Sequence, residues 1–241
     1  MQFANIQWQQ SINRSDTPYS IDFDDIYFST DDGLQETEYV FIEHNQLKQR
    51  FKALSEKTFC IVEMGFGTGL NFLVVASHWL ALAPITAKLR FISIEKHPLR
   101  LDDLSKAMHI WPQFSEIASA LILQYTQLKA DCNHLSFANN RIELQLHIGD
   151  VIEVLPGLKI ADGTFVNAWL LDGFAPAKNA EMWSVGTLQQ MARISSKGTT
   201  FATFTSAGTV RRNLEAIGFC VEKHTGYGKK REMLAGYFGE R

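Results

Sequence analysis

The sequence is poor in cysteine, and the spacing of its thiols excludes two kinds of site. Its three cysteines, Cys60, Cys132 and Cys220, lie far apart in the chain. An odd number of widely separated thiols forms neither a disulfide framework nor a C-x-x-C pair. The histidines also lack the spacing of metal ligands. We therefore expect reduced, structural thiols and no metal site.

Long apolar runs and an excess of positive charge are absent as well. No run approaches the ~20 apolar residues of a membrane helix, and residues 1–10 have neither a basic leader nor the apolar core of a signal peptide. These features predict a cytoplasmic protein with no membrane partner. The chain carries 23 Lys and Arg against 26 Asp and Glu, a net charge of −3. This balance argues against a protein that coats nucleic acid, but a local basic surface is still able to bind phosphates.

Short apolar runs rich in β-branched and aromatic residues recur along the chain, separated by stretches of helix length. Five of them cover residues 58–63, 89–95, 142–148, 166–171 and 199–204. This alternation predicts an α/β fold, a three-layer Rossmann-like sandwich with a mostly parallel sheet. Two further runs, 219–223 and 232–238, are joined by too short a link for a parallel crossover and form an antiparallel pair. Seven strands with an antiparallel last strand resemble the sheet of class I methyltransferases.

No repeat, low-complexity tract or linker divides the chain into separate domains. Residues 1–57 are expected to form an N-terminal cap on the core at 58–241, with a helix from Thr37 to Phe51. The stretch at about 97–140 is long for one crossover, so we expect it to be an insertion with two helices. Such additions would cover a site at the strand ends.

A glycine-rich turn, Gly65-Phe-Gly-Thr-Gly69, follows the first predicted strand and precedes a predicted helix over residues 70–83. Glycines permit close approach of a ligand to the backbone, and the helix start offers free N–H groups. Leu70 stands where a dinucleotide fingerprint needs glycine, and no G-K-[ST] is present for a nucleoside triphosphate. With Glu63 two residues upstream, the turn resembles the first motif of S-adenosylmethionine (SAM) enzymes, where Glu63 would lie near the methionine ammonium. The alternative is a turn that uses glycine only for its geometry.

Acidic residues occur at the ends of three consecutive predicted strands. Glu95 is placed to accept the ribose hydroxyl protons of an adenosyl group, and Asp150 to accept the adenine amino hydrogens. Taken alone, Glu95 has the alternative of a helix-terminal charge and Asp150 that of a helix N-cap. Their order along the sheet favours cofactor binding. The predicted cofactor-binding residues are Glu63, Gly65, Phe66, Gly67, Gly69, Asn71, Glu95, Lys96 and Asp150.

The fourth predicted strand ends in Leu171-Asp-Gly-Phe-Ala-Pro176. This corner resembles the Asp/Asn-Pro-Pro-aromatic loop of amino-group methyltransferases. A primary aliphatic amine, with a pKa near ~10 by analogy with lysine, is protonated at neutral pH. Asp172 would accept its proton or orient the neutral amine, while Phe174 stacks on a base and Pro176 stiffens the loop. An Asp turn closed by proline is the structural alternative.

Longer motifs extend the resemblance over nearly the whole chain. They include Phe23-Asp-Asp-Ile-Tyr-Phe-Ser29, Gly65-Phe-Gly-Thr-Gly-Leu-Asn-Phe72, Leu171-Asp-Gly-Phe-Ala-Pro-Ala-Lys-Asn179 and Gly228-Lys-Lys-Arg-Glu-Met233. The chain resembles the methyltransferase domain of the MnmC family, bifunctional enzymes that complete 5-methylaminomethyl-2-thiouridine at the tRNA wobble position. The resemblance implies SAM as methyl donor, the 5-aminomethyl group of a tRNA uridine as acceptor and Asp172 in the catalytic corner. Met64 departs from the small residue expected there, and an FAD-dependent oxidase would be fused to this chain or encoded separately.

Basic residues near the carboxyl terminus are expected to hold tRNA phosphates, with a solvated hairpin as the alternative. The predicted substrate-binding residues are Phe174, Pro176, Lys178, Arg211, Arg212, Lys229, Lys230 and Arg231. Two other functions stay open. A same-fold transferase acting on a free small amine, such as a polyamine aminopropyltransferase, would need no basic tail. A module that binds SAM or tRNA without turnover is disfavoured by the complete set of acidic residues.

Overall fold

The computed structural model describes residues 1–10, 16–29, 32–161 and 164–239. Its amino-terminal part contains a small antiparallel sheet of β1 (Ile6–Gln9), β2 (Thr17–Ser20) and β3 (Asp25–Ile26). A helical segment follows, made of α1 (Gly33–Thr37), a π-helical turn (Glu38–Glu43) and α2 (Leu47–Lys52). It begins four residues before the predicted start because Asp32 caps α1, its side chain accepting a hydrogen bond from the Gln35 backbone N–H. Gln46, with a φ of +54°, interrupts it before α2.

Eight strands form the central sheet. They are β4 (Thr58–Met64), β5 (Lys88–Glu95), β6 (Cys132–Phe137), β7 (Ile142–Ile148), β8 (Val166–Leu171), β9 (Ser195–Thr203), β10 (Phe219–Thr225) and β11 (Glu232–Phe238). Their order is β10, β11, β9, β8, β4, β5, β7, β6. The strands from β9 to β7 in this order are mutually parallel, whereas β11 is antiparallel to both β9 and β10. The α/β class, the seven predicted strands and the antiparallel last strand are confirmed.

The eighth strand, β6, lies antiparallel to β7 at the sheet edge and was not predicted. Its residues alternate between buried and exposed positions, as a half-buried strand requires. The alternation is hard to recognise in the sequence because Asn133 occupies a buried position. Its amide donates hydrogen bonds to backbone carbonyls of Lys129, Asp131 and Leu146, which offset the cost of burying it.

Helices cover both faces of the sheet. They are α3 (Leu70–Leu82), α4 (Leu101–His109), α5 (Ser115–Tyr125), α6 (Val151–Gly157), α7 (Val185–Arg193) and α8 (Gly208–Ala216). One core cluster, which includes Phe72 and Trp79, packs helices α3, α4 and α5 and the amino-terminal helices against the sheet. The other, which includes Trp169 and Leu214, packs helices α6, α7 and α8 against it. The two predicted insertion helices correspond to α4 and α5. None of the helices within the described ranges is long and apolar enough to cross a membrane.

Candidate active site

A cavity of about 410 Å³ opens where the carboxyl ends of β4, β5, β7 and β8 meet. Its volume falls within the ~300–1,000 Å³ typical of small-molecule sites. The glycine turn and the strand ends form its floor. Residues 23–29 and the start of the amino-terminal helical segment form one wall, and the turn between β10 and β11 reaches its mouth. The site therefore combines parts of the chain that are distant in sequence.

The glycine turn has the left-handed backbone that its composition predicts. Gly65, Gly67 and Gly69 have φ values of +93°, +53° and +77°. A Cβ atom at Gly65 would lie 2.2 Å from the carbonyl oxygen of Asp172, so a side chain there would separate β4 from β8. At Gly67 it would lie 3.2 Å from the ring of Tyr27. Gly65, Phe66 and Gly67 line the cavity, whereas Gly69 precedes α3 and does not.

Glu95 connects the ends of β4 and β5. Its two carboxylate oxygens accept hydrogen bonds from the backbone N–H groups of Gly67 and His97, each at 2.8 Å. Burial raises the pKa of Glu95, although these N–H groups oppose the shift. Glu95 lines the cavity, and its contact with a ribose stays a prediction.

Lys96 and Asp150 form an ion pair of 2.6 Å at the cavity wall. Asp150 also accepts a hydrogen bond from the Ile152 backbone N–H at 3.1 Å, so it is the N-cap of α6. Burial alone would raise the pKa of Asp150, but the Lys96 and Ile152 hydrogen bonds lower it overall. Asp150 is therefore a helix N-cap, as the alternative interpretation expected. Because Asp150 also lines the cavity, its contact with an adenine stays a prediction.

Glu63 does not reach the cavity, contrary to the predicted contact with a cofactor ammonium. It is fully buried and accepts hydrogen bonds from Ser93 Oγ at 2.6 Å and from Asn71 Nδ2 at 2.9 Å. Asn71 lies between Glu63 and the cavity, which it lines. Burial raises the pKa of Glu63 well above its usual value, because a charge at that depth loses its hydration.

The same Asn71 amide fixes Asp172. Asn71 Nδ2 donates a second hydrogen bond, of 2.6 Å, to Asp172 Oδ2, and its Oδ1 accepts one from Thr37 Oγ1 at 2.9 Å. Since both ends of the amide are engaged, its orientation is set. Within the described part of the chain no hydrogen bond engages Asp172 Oδ1, so this oxygen is the one available to a ligand.

Asp172 has an unusual acidity for an aspartate. Burial raises its pKa to about 7, while the Asn71 hydrogen bond opposes the rise. Among the more distant charges, Glu36 raises the pKa and Lys230 lowers it. A carboxyl group with a pKa near neutrality is suited to general acid–base work at physiological pH.

Phe174 is held by aromatic residues of the amino-terminal wall. Its ring stacks on Phe23 with centroids 4.5 Å apart and forms a T-shaped contact with the Tyr27 ring, with centroids 5.4 Å apart. The backbone N–H of Ala175 donates to the Asp25 carboxylate at 3.1 Å. The sequence motif at residues 23–29 supported the family resemblance, but no role was predicted for it. The structure assigns it the wall beside Asp172.

The structure brings together only part of the predicted substrate-binding set. Phe174, Lys229 and Lys230 line the cavity. Pro176, Lys178, Arg211, Arg212 and Arg231 do not. Lys178 is paired with Asp24, and Arg211 with Glu215 along α8. Glu36 and Phe204, which were not predicted, also line the cavity, and Glu36 Oε1 lies 2.7 Å from Lys230 Nζ.

A family model of S-adenosyl-L-methionine-dependent methyltransferases matches residues 112–238. The chain belongs to this family. The cavity of this methyltransferase fits its cofactor, SAM, because Gly65 and Gly67 expose backbone on the floor. Glu95 and Asp150 supply carboxylates at the ends of adjacent strands.

Curated relatives that match nearly the whole chain include proteins from Methylobacillus flagellatus and Pseudoalteromonas atlantica. It is 46% identical over 235 residues to the "tRNA 5-methylaminomethyl-2-thiouridine biosynthesis bifunctional protein MnmC" of Methylobacillus flagellatus, covering 98% of this chain and 35% of the relative. The protein of the same name from Pseudoalteromonas atlantica is 50% identical over 237 residues, with coverages of 97% and 33%. The chain therefore spans about a third of the length of these relatives.

The crystal structure of MnmC2 from Aquifex aeolicus has a similar fold, with a TM-score of 0.76 at 20% identity. The match covers 97% of this chain and 70% of the Aquifex chain. At this level of identity the likeness shows the fold alone.

Proposed function

We propose that this chain catalyses the SAM-dependent N-methylation of the 5-aminomethyl group of 5-aminomethyl-(2-thio)uridine at the tRNA wobble position, giving 5-methylaminomethyl-(2-thio)uridine. The observation that carries the proposal is Asp172: a carboxyl group in the cavity, with a pKa of about 7 and one oxygen available. The names of the longer relatives support the acceptor.

The acidity of Asp172 matches the task of receiving a proton from an amine. With an amine pKa near ~10, transfer to an ordinary aspartate of pKa 3.8 is uphill by roughly 6 pKa units, or ~8 kcal/mol. Transfer to a carboxylate of pKa about 7 is uphill by roughly 3 units, or ~4 kcal/mol. Burial of Asp172 thus removes about half of this cost.

SAM, when bound, supplies a methyl group on a sulfonium, which reacts with an uncharged amine. The chain's own residues prepare that amine. Asp172 Oδ1 receives its proton, and Asn71 keeps the Asp172 carboxyl group in place. The Phe174 ring, held against Phe23, offers an apolar face for the uracil ring. Glu95, Asp150 and the glycine turn are the proposed contacts of the cofactor.

A tRNA acceptor would contact the mouth of the cavity. Lys229 lines that mouth, and Arg231 follows it in the same turn, so they are proposed to hold phosphates. Arg211 and Arg212 lie on α8 and would contact the tRNA only beyond the cavity. A tRNA substrate implies activity in the cytoplasm, and a flavin-dependent oxidase, fused or separate, is the proposed partner for a preceding reaction.

Mass analysis of nucleosides tests this function. Undermodified tRNA carrying 5-aminomethyl-2-thiouridine is incubated with the protein and SAM, with the Asp172→Asn variant as a matched control. The proposal expects conversion to the methylaminomethyl nucleoside by the parent, and at pH 7 a rate at least ~10²-fold lower for the variant. Parallel incubations with putrescine and decarboxylated SAM test the aminopropyltransferase alternative. Aminopropyl transfer without tRNA methylation would refute the proposal, and SAM binding without any turnover would favour the non-catalytic module.

A further inference from the structure

A lysine ammonium of the chain itself occupies one corner of the cavity mouth. Lys230 Nζ lies 2.7 Å from Glu36 Oε1 and 4.0 Å from the centroid of the Phe204 ring. All three residues line the cavity. The side chain of Glu36 is only 14% exposed, against 43% for Lys230, so the carboxylate belongs to the cavity and the ammonium reaches it from the rim.

We infer that Glu36 and the face of Phe204 form a subsite for an alkylammonium group, which Lys230 occupies until the acceptor amine replaces it. The inference rests on the proposed function in that the ligand it names is the acceptor. A carboxylate beside an aromatic face is a favourable site for such a cation, through a charge-assisted hydrogen bond and attraction to the ring. The acceptor enters as an ammonium, because that form dominates at neutral pH.

The surrounding contacts explain how Lys230 can leave while the turn stays in place. The turn is closed by backbone hydrogen bonds from Gly226 N–H to Arg231 and from Lys230 N–H to Tyr227, each at 3.1 Å. Tyr39 Oη donates to the Thr225 carbonyl at 2.9 Å and holds the end of β10, next to the turn, against the amino-terminal segment. None of these bonds uses the Lys230 ammonium. Its flexible four-carbon stem can therefore swing into solvent without opening the turn.

In this arrangement Glu36 and Asp172 have different roles in the same cavity. Glu36 holds the ammonium form of the acceptor, and Asp172 accepts the proton that must leave before methylation. The resident lysine acts as a competitor, so the apparent affinity for the acceptor is its intrinsic affinity multiplied by the fraction of time that the subsite is free. Amines should then bind better than uncharged analogues of the same shape, and removal of Lys230 should strengthen their binding.

Binding of two nucleosides tests the subsite without catalysis. The protein is saturated with S-adenosylhomocysteine, which has no methyl group to transfer, and titrated by NMR with 5-aminomethyluridine or with uncharged 5-hydroxymethyluridine. Lys230→Met should tighten binding of the amine by about threefold to tenfold, the size of one ion pair, and leave the hydroxymethyl nucleoside unchanged. Glu36→Gln should reduce the preference for the amine by about tenfold or more. Lys223→Met, which removes a lysine paired with Glu232 on the same hairpin but outside the cavity, is the matched control.

Weaker binding of the amine to Lys230→Met, or an unchanged preference in Glu36→Gln, would overturn the inference. Phe204→Leu gives a second test of the preference if Glu36→Gln does not fold, as judged by its thermal unfolding and its S-adenosylhomocysteine affinity. The tRNA methylation assay is read separately. A retained preference for the amine without tRNA methylation would refute the proposed acceptor, whereas methylation without the preference would refute the subsite.

Discussion

The substitution Asp172→Asn tests the proposed base most directly. It keeps the shape of the side chain and one oxygen, and it removes the negative charge and the ability to accept a proton. General acid–base assistance is worth ~10²- to 10⁴-fold, so methyl transfer at pH 7 should fall by ~10²-fold or more. Single-turnover rates at saturating tRNA and SAM isolate this step from product release.

The pH dependence separates a base from a residue that only shapes the turn. In the parent the rate should rise as Asp172 ionises around its pKa of about 7. It should then level off, because the bound acceptor ammonium carries the proton that the ionised Asp172 accepts. In Asp172→Asn the rate should follow the free amine in solution, whose fraction grows about tenfold per pH unit below ~10. Raising the pH from 7 to 9 should therefore recover roughly 100-fold. Near-parent rates at pH 7, or the same profile for both proteins, would refute the reasoning.

Stability provides a second readout of the same substitution. The pKa of Asp172 is raised by folding, so the folded state binds the proton more tightly than the unfolded chain. The stability that this proton contributes is present below the unfolded pKa and is lost as the pH rises through about 7. Asp172→Asn removes that loss, and its Tm at pH 8 should equal or exceed that of the parent. A large decrease in Tm would indicate a structural role instead.

Three further predictions address the surroundings of Asp172. Asn71→Ala should move the midpoint of the pH–rate profile upward by about one pH unit or more, because the ionised Asp172 carboxylate loses its 2.6 Å hydrogen bond. An unmoved midpoint with weakened SAM binding would make Asn71 a cofactor ligand. Gly67→Val should weaken SAM binding by more than about tenfold, because Gly67 has a left-handed backbone and an added Cβ would lie 3.2 Å from the Tyr27 ring. Unchanged SAM affinity by calorimetry in a folded protein would contradict this. Lys229→Glu should weaken tRNA binding and flatten its salt dependence with SAM affinity unchanged, and identical slopes for variant and parent would leave Lys229 as a solvated residue.

The sheet and the floor of the cavity follow from local sequence. The strand at residues 58–63 is recognisable because a central strand of a covered sheet is buried on both faces. Once the strands are parallel, their carboxyl ends share an edge, and Glu95, Asp150 and Asp172 are brought to one place by topology alone. Prediction of these residues needed no knowledge of side-chain packing.

The walls of the cavity depend on contacts that the sequence does not encode locally. Tyr27 and Glu36 precede the first strand of the central sheet, and nothing in their neighbourhood indicates that they face β8 or the β10–β11 turn. Glu63 was assigned to the cofactor because of its spacing from the glycine turn. Its side chain lies behind Asn71. Sequence spacing could not show this, because successive strand residues point to opposite faces of the sheet and spacing does not say how deeply a side chain is buried. Charge pairing was equally hidden, as the partnership of Lys178 with Asp24 shows.

Charge balance around Asp172 links the resident lysine to the proposed chemistry. Glu36 raises the pKa of Asp172 and Lys230 lowers it, so an empty subsite would leave the charge of Glu36 unpaired and make Asp172 more difficult to ionise. Exchange of the Lys230 ammonium for the ammonium of the acceptor conserves the charge at this position. Asp172 then keeps an acidity near neutrality before and after the acceptor binds. The ionised carboxylate is thereby ready to accept one proton from the amine, and Asp172 releases that proton to solvent before the next turnover.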